Sequence, residues 1–191
     1  EGGGVSLCTP ADFKRRPASV GRAIFAVEIG VVDEAGQALP PGQVGSLRYR
    51  VPGVADGFFG DPEQSAQHFR DGWFHPGDLA EIDAEGYVHL RGRSKDMIIR
   101  AGVNIYPNEI EDVLLGLPQV QECAVFGCAD PDLGEAVACA WVSAQDIAVD
   151  LLESHCRALL SPYKVPTRWM RLAELPVNSG GKVVKARLRE M

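Results

Sequence analysis

The chain of 191 residues predicts an α+β fold in two parts. Three observations carry that expectation. Up to about residue 94 the apolar runs are short, spaced for strands and punctuated by Gly and Pro, which suggests a barrel or a small sheet. Beyond it, strand-like runs alternate with helical periodicity. Between the two, residues 92–111 compress a charged turn, an apolar strand, a glycine and a helix start into one segment. The composition shift at residue 94 sets the expected boundary, with domains over 1–94 and 95–191.

In the first part, residues 23–32 form an apolar run broken only by Glu28, Asp33-Glu34-Ala35-Gly36 reads as a turn, and residues 45–51 alternate as a strand. Pro62 opens a short surface helix ending near the turn dipeptide Asp71-Gly72. Residues 79–82 and 87–90, separated by Asp83-Ala84-Glu85-Gly86, make a hairpin. At the join, Met97, Ile98 and Ile99 suit a strand buried on both faces, and Gly102 marks a bulge or a close approach of another backbone or ligand. Pro107 then starts a helix, with Glu109 and Glu111 placed near its positive end and Ile110, Val113, Leu114 and Leu117 at helical spacing. Gly116 and Pro118 stop it. Strands over 120–128 and 136–143 flank a turn-forming loop, and a helix over 149–160 places Leu151, Leu152, His155, Leu159 and Leu160 on one face. A short strand over 169–172 and a basic segment over 182–189 complete the chain. Lys185, Arg187 and Arg189 read as a solvated tail.

The formal net charge of -7 argues against nucleic-acid or acidic-membrane partners, which want clustered Lys and Arg. The five cysteines (Cys8, Cys123, Cys128, Cys139 and Cys156) include no Cys-x-x-Cys pair and read as reduced core residues of a cytoplasmic protein. The four histidines lack metal-ligand spacing, and no apolar run approaches the roughly 20 residues that span a bilayer. The opening Glu1-Gly2-Gly3-Gly4, without a methionine, reads as cut from a longer protein.

Two further motifs bear on chemistry. Asp78 closes a Pro-Gly-Asp turn, where its carboxylate suits a pair of vicinal hydroxyls, although such a turn aspartate more commonly bonds its own backbone. Lys182 stands on the edge of a Gly180-Gly181 loop expected to be mobile, where a flexible ammonium can reach a transient negative charge.

Together, residues 92–111, Gly77-Asp78 and the run Pro176-Val177-Asn178-Ser179-Gly180-Gly181-Lys182 resemble the adenylate-forming (AMP-binding) superfamily of acyl- and aryl-CoA synthetases, peptide-synthetase adenylation domains and beetle luciferases. The resemblance implies a β-rich remnant of the large N-terminal domain followed by a small mobile α+β C-terminal domain. It implies that Lys95 is the hinge about which that domain turns, and that Asp78 and Arg93 bind the nucleotide, Asp78 at the ribose. Gly102 would lie along the CoA channel, Lys182 would be the catalytic lysine, and Glu1 would help to bind magnesium. Pro76 stands where the family more often has Thr, which removes a hydroxyl. The implied cofactors are ATP, Mg2+ and coenzyme A, and the implied substrate is a small-molecule carboxylic acid. The implied function is part of an ATP-dependent acid:CoA ligase that forms an acyl-adenylate and then a thioester. The alternatives are a peptide-synthetase adenylation domain, whose acceptor is a carrier protein, and a fragment without activity of its own. The family's phosphate-holding Ser/Thr/Gly-rich loop does not occur here, which points to a missing N-terminal part of the same enzyme. The run Asn104-Ile105-Tyr106-Pro107 resembles medium-chain, fatty and aryl acid ligases, and residues 160–166 resemble a family segment with a structural role.

Overall fold

A computed structural model describes residues 4–191 and divides the chain into two compact units between Lys95 and Asp96. In the first unit the elements run β1 (Ser6–Leu7), α1 (Pro10–Arg15), β2 (Arg22–Ala23), β3 (Glu28–Val32), β4 (Gly45–Arg50), α2 (Pro62–His68), β5 (Phe69–Arg70), β6 (Trp73–Phe74), β7 (Asp78–Ile82) and β8 (Val88–Arg93). Strands β5-β6-β4-β7-β8 form an antiparallel sheet in that order, with β3 also on β4, and β1 pairs with β2 separately.

Alternation explains the sheet's inner face, where Val31, Leu47, Ala80 and Val88 pack together. A second apolar group is aromatic: Phe74 packs against Tyr49, Phe58, Phe69 and His68 with ring centroids 4.8 to 6.4 Å apart. Helix α2 ends earlier than expected, at His68, because residues 69–70 are taken into β5. Asp71 (φ 53°) and Gly72 (φ 74°) then make the two-residue turn to β6, whose left-handed backbone suits Asp-Gly.

Helix α1 was not expected from apolar periodicity, being short and polar, but it carries a capping box. Asp12 N–H donates to Thr9 Oγ1 at 3.2 Å while Asp12 Oδ2 accepts from Thr9 N–H at 3.2 Å. Asp12 is buried, and its other oxygen accepts from the hydroxyl of buried Tyr87 at 2.6 Å, tying α1 to the start of β8.

The second unit runs β9 (Ile98–Arg100), β10 (Val103–Ile105), α3 (Pro107–Leu115), β11 (Glu122–Asp130), β12 (Gly134–Val142), α4 (Val149–Leu159), β13 (Arg168–Arg171) and α5 (Lys185–Arg189). Its sheet has the order β10-β9-β12-β11, with β13 parallel to β12. Successive side chains of β11 and β12 enter opposite cores. Val125, Val137 and Cys139 meet Ile110 and Leu114 of α3 and Leu152 and Cys156 of α4. Ala124, Phe126, Ala138 and Ala140 meet Leu175 and, from α5, Leu188.

Two expectations about burial are corrected. The run 97–99 is not buried on both faces: Ile98 is fully buried against the α3 side, whereas Ile99 is 50% exposed, because the α5 layer does not reach over β9. In α4 the buried stripe is Leu152 and Cys156, one turn apart, with His155 Nε2 3.0 Å from the carbonyl oxygen of Val113. Leu151, rotated about 100° from Leu152, and Leu159, in the last turn, face solvent.

Two measurements follow from this packing. In urea denaturation, Leu152→Ala should cost about 2–5 kcal/mol by leaving a cavity, and Leu159→Ala no more than about 0.5 kcal/mol. The Asp12 carboxyl is held well below the usual carboxylate range, chiefly by the hydrogen bonds from the Thr9 and Tyr87 hydroxyls. Its contribution is therefore complete above the unfolded carboxylate value of about 4 and is lost as pH falls toward the depressed folded value. Asp12→Asn should lower the urea midpoint at neutral pH and flatten its decline between about pH 4 and pH 2; parallel wild-type and variant curves would refute this.

Candidate functional site

Asp78 opens β7 and Arg93 closes β8, and the two are register partners. Arg93 Nε donates to Asp78 Oδ1 at 2.9 Å, and its Nη2 donates to the carbonyl oxygen of Pro76 at 3.2 Å. The Ser94 hydroxyl and amide both donate to the carbonyl oxygen of Gly77, at 3.2 and 3.0 Å, which fixes the turn. Gly77 itself has φ 80°, a conformation glycine adopts without strain. The carboxylate thus faces Arg93 across the ladder. The pair sets an acceptor for hydroxyls beside a guanidinium able to donate to a phosphate oxygen.

That partnership was not readable from hairpin counting. Pairs 82↔88, 81↔89 and 80↔90 would continue to set Asp78 opposite Gly92. A bulge between Leu79 and Ala80 shifts the ladder by one residue and places Arg93 there instead. Pro76 contributes a carbonyl oxygen, a role its missing hydroxyl does not affect.

Lys95 is exposed in a single 3-10 turn, Ser94–Asp96, and its ammonium has no hydrogen-bond or ion-pair partner among the described residues. Gly102 is not a bulge, and no other backbone presses on it. With Ala101 (φ 50°) it forms the two-residue turn between Arg100 and Val103, and a Cβ at Gly102 (φ 79°) would have no atom within 4 Å. A turn with both central residues left-handed selects glycine by backbone conformation, so open space and glycine occur together. The hairpin is held firmly. Ala101 N–H donates to Leu133 O, Arg100 Nη1 to Tyr163 O and Ile99 N–H to Glu135 Oε2, each at 2.7 Å. Gly127 makes room for that last bond, since a Cβ there would lie 2.5 Å from Glu135 Oε1. Residues 160–166 have the expected structural part: besides Tyr163 O, Lys164 Nζ reaches Glu109 of α3 at 2.6 Å.

The Lys182 loop differs from expectation in being a closed turn. Val177 and Val183 form a bridge, Asn178 N–H donates to Lys182 O at 2.9 Å, and Gly181 N–H donates to Asn178 O at 2.9 Å. The Asn178 side-chain oxygen accepts from the Gly180 and Lys182 amides, at 3.0 Å each. Lys182 is exposed and its ammonium has no acceptor among the described residues. The basic segment after it is not a solvated tail. Lys185 Nζ bonds Glu111 at 2.8 Å, Arg189 Nε bonds the carbonyl oxygen of Gly127 at 3.1 Å, and Leu188 between them is buried. Arg187 keeps the solvated reading, and Arg189 is likewise exposed apart from its Nε bond.

Glu1 lies outside the described residues. Among the described residues no group of three or more His, Cys, Asp or Glu is placed to hold a metal ion, and no helix is long and apolar enough to cross a membrane.

Residues 109–182 match the AMP-binding enzyme C-terminal domain family. Feruloyl-CoA synthase from an Amycolatopsis species is 38% identical over 188 residues, which is 97% of this chain and 38% of that protein. A long-chain-fatty-acid–CoA ligase of Escherichia coli O6:H1 is 36% identical over 197 residues, which is 100% of this chain and 35% of the ligase. Among solved structures, o-succinylbenzoate CoA synthetase (MenE) from Bacillus subtilis, in complex with the acyl-adenylate intermediate OSB-AMP, superposes with a TM-score of 0.93 at 30% identity, covering 97% of this chain and 38% of the synthetase. The chain therefore spans 38% or less of the length of these relatives. With an AMP-binding C-terminal domain and adenylate-forming relatives along nearly its whole length, the chain belongs to the adenylate-forming superfamily.

Proposed function

We propose that the chain is the C-terminal part of an ATP-dependent carboxylic acid:CoA ligase, with residues up to Lys95 belonging to the large AMP-binding domain and the rest forming the mobile C-terminal domain. The observation that carries this reading is the isolation of Lys182. In the second unit nearly every other lysine or arginine donates to a carboxylate or carbonyl: Arg100, Arg157, Lys164, Arg168, Arg171, Lys185 and Arg189 all do. Lys182 and Arg187 have no acceptor among the described residues, and of these Lys182 alone sits on a preformed turn.

Adenylation joins two anions: a substrate carboxylate oxygen attacks the α-phosphorus of ATP and pyrophosphate departs. A lysine held at the turn's edge supplies positive charge where negative charge builds on the phosphoryl oxygens. Asp78, with one oxygen bonded by Arg93, offers its carboxylate to the ribose hydroxyls, and Arg93 lies close enough to share the nucleotide. In the second step the sulfur of coenzyme A attacks the acyl carbon and AMP leaves. On this reading rotation about Lys95 withdraws Lys182 and carries the Gly102 hairpin to the pantetheine arm, where the absence of a side chain leaves room. Glu1 would help to hold magnesium, which would neutralise charge on the ATP phosphates.

The acid is an aryl or fatty acid, the class suggested by the run 104–107 and by relatives that act on ferulate and long-chain fatty acids. A cytoplasmic location fits the thiols. All five cysteines are free, and burial pushes Cys123 to about 12 and Cys156 to about 11, so both stay protonated and unreactive.

In the full-length enzyme, Lys182→Ala should slow ATP–pyrophosphate exchange by about 10²–10³-fold, the usual effect of losing one transition-state donor, while thioester formation from preformed acyl-adenylate persists. Equal loss of both half-reactions would rule out the assigned role. Lys95→Pro, which restricts φ at the hinge, should slow thioester formation more than adenylation; unchanged thioester kinetics would remove Lys95 as pivot. Free coenzyme A should serve as acceptor, and transfer only to a carrier protein would favour a peptide-synthetase adenylation domain.

A further inference from the structure

Lys185 is the first residue of α5 and stands three residues after Lys182. Its ammonium donates to Glu111 Oε1 at 2.8 Å, and both side chains are largely buried, 14% and 18% exposed. The same carboxylate oxygen accepts from the amide of Val125 at 2.8 Å.

The place of this contact matters. Strand β11 lies at the end of its sheet, so the amide of Val125 and the carbonyl of Gly127 point outward with no strand to receive them. Glu111, from α3 on one face, satisfies the first, and Arg189, from α5 on the other, satisfies the second. The Lys185–Glu111 pair therefore closes around the edge of β11 and joins the two helical layers.

Helix α5 has five residues and no side-chain hydrogen bond at its N-cap, so nothing local orients its first turn. Leu188 holds its far end in the apolar core. The near end is fixed by Lys185 alone among the side chains of α5's first turn, and from there the chain runs back through Val184, whose amide donates to Pro176 O at 2.7 Å, and Val183, bridged to Val177. Hydrogen bonds thus flank the bridge on both sides, at Val184 and at Lys182, along the path from Lys185 to the Lys182 turn.

We propose that Lys185 and Glu111 are positioning residues for Lys182: their buried ion pair at the edge of β11 sets where the turn delivers its ammonium during adenylation. The inference rests on the part proposed above for Lys182. A buried ion pair suits the task because it is directional and leaves an uncompensated charge when broken, whereas an apolar contact would tolerate sliding.

The test uses the full-length enzyme with variants Lys182→Ala, Lys185→Met, Lys185→Arg and Glu111→Gln. Each is assayed by ATP–pyrophosphate exchange, by thioester formation from synthetic acyl-adenylate, and by melting temperature. Misplacement of a catalytic group by about 1 Å costs on the order of 10²-fold, so Lys185→Met should lower the adenylation kcat by about that factor. The KM for ATP and the thioester half-reaction should be unchanged, and Lys185→Arg should recover most of the adenylation rate. Glu111→Gln retains an acceptor for the Val125 amide but not the charge, so it keeps the fold and should show the same selective loss. Wild-type adenylation in Lys185→Met or Glu111→Gln, with Lys182→Ala inactive, would overturn the positioning role alone. Equal loss of both half-reactions together with a lowered melting temperature would reduce the pair to a structural contact and also overturn it. Wild-type adenylation by Lys182→Ala would overturn the reading of Lys182 itself.

Discussion

The antiparallel pairing of β11 with β12 is the constraint from which the second unit is built. It runs without a break from Glu122↔Val142 to Asp130↔Gly134, so every side chain along it is assigned to one of two faces. Residues 125, 137 and 139 fall on the face that α3 and α4 cover, and residues 124, 126, 138 and 140 on the face that α5 covers. A slip of one residue would exchange the two sets, placing Phe126 where the α3–α4 face now holds Val125 and leaving the other core unfilled. Because β12 is also bonded to β13 and meets β9 at Gly134, the same ladder locates the segment before the Lys182 turn and the hairpin that carries Gly102.

Periodicity made most of this architecture legible. Pro107 and Gly116 bracket α3, whose N- and C-terminal signals depend only on neighbouring residues. The same holds for the β7–β8 hairpin, where the turn at Asp83-Ala84-Glu85-Gly86 is local chemistry: Asp83 Oδ1 accepts from the Glu85 and Tyr87 amides, at 2.9 Å each. Legibility ended where an outcome depended on what covers a surface. Ile98 and Ile99 are chemically alike, and only the reach of the α5 layer decides that one is buried and the other half exposed. Leu151 and Leu152 differ in the same way.

The candidate site shows a sharper division. Asp78, Arg93, Gly102 and Lys182 could each be singled out from motifs, but their physical surroundings could not. Asp78 meets Arg93 because of a bulge that no local pattern marks, and Lys185 looked like a solvated charge because Glu111, its partner, lies 74 positions away in sequence. Short-range rules identify residue types suited to a reaction; long-range register and edge satisfaction decide which of them are paired off and which stay free.

On the role proposed for Lys182, the closed form of its turn also bears on how one lysine can serve the first of two steps. A loop of Gly180 and Gly181 without internal bonds could withdraw the ammonium between half-reactions by local rearrangement. Here Asn178 holds the turn through its side chain and backbone, Val183 is bridged to Val177, and the Val184 amide donates to the carbonyl oxygen of Pro176. Local withdrawal would have to break several of these bonds together and leave their backbone groups to be resolvated. Moving the unit as a body breaks none of them. The hinge proposed for that motion is the exposed 3-10 turn at Lys95, where the Lys95 ammonium has no partner among the described residues and the Ser94 hydroxyl has one, the carbonyl oxygen of Gly77. On the roles proposed for Lys182 and Lys95, a hydrogen-bonded turn and an unpartnered hinge lysine serve one requirement, that the charge be placed accurately in one step and be absent from the next.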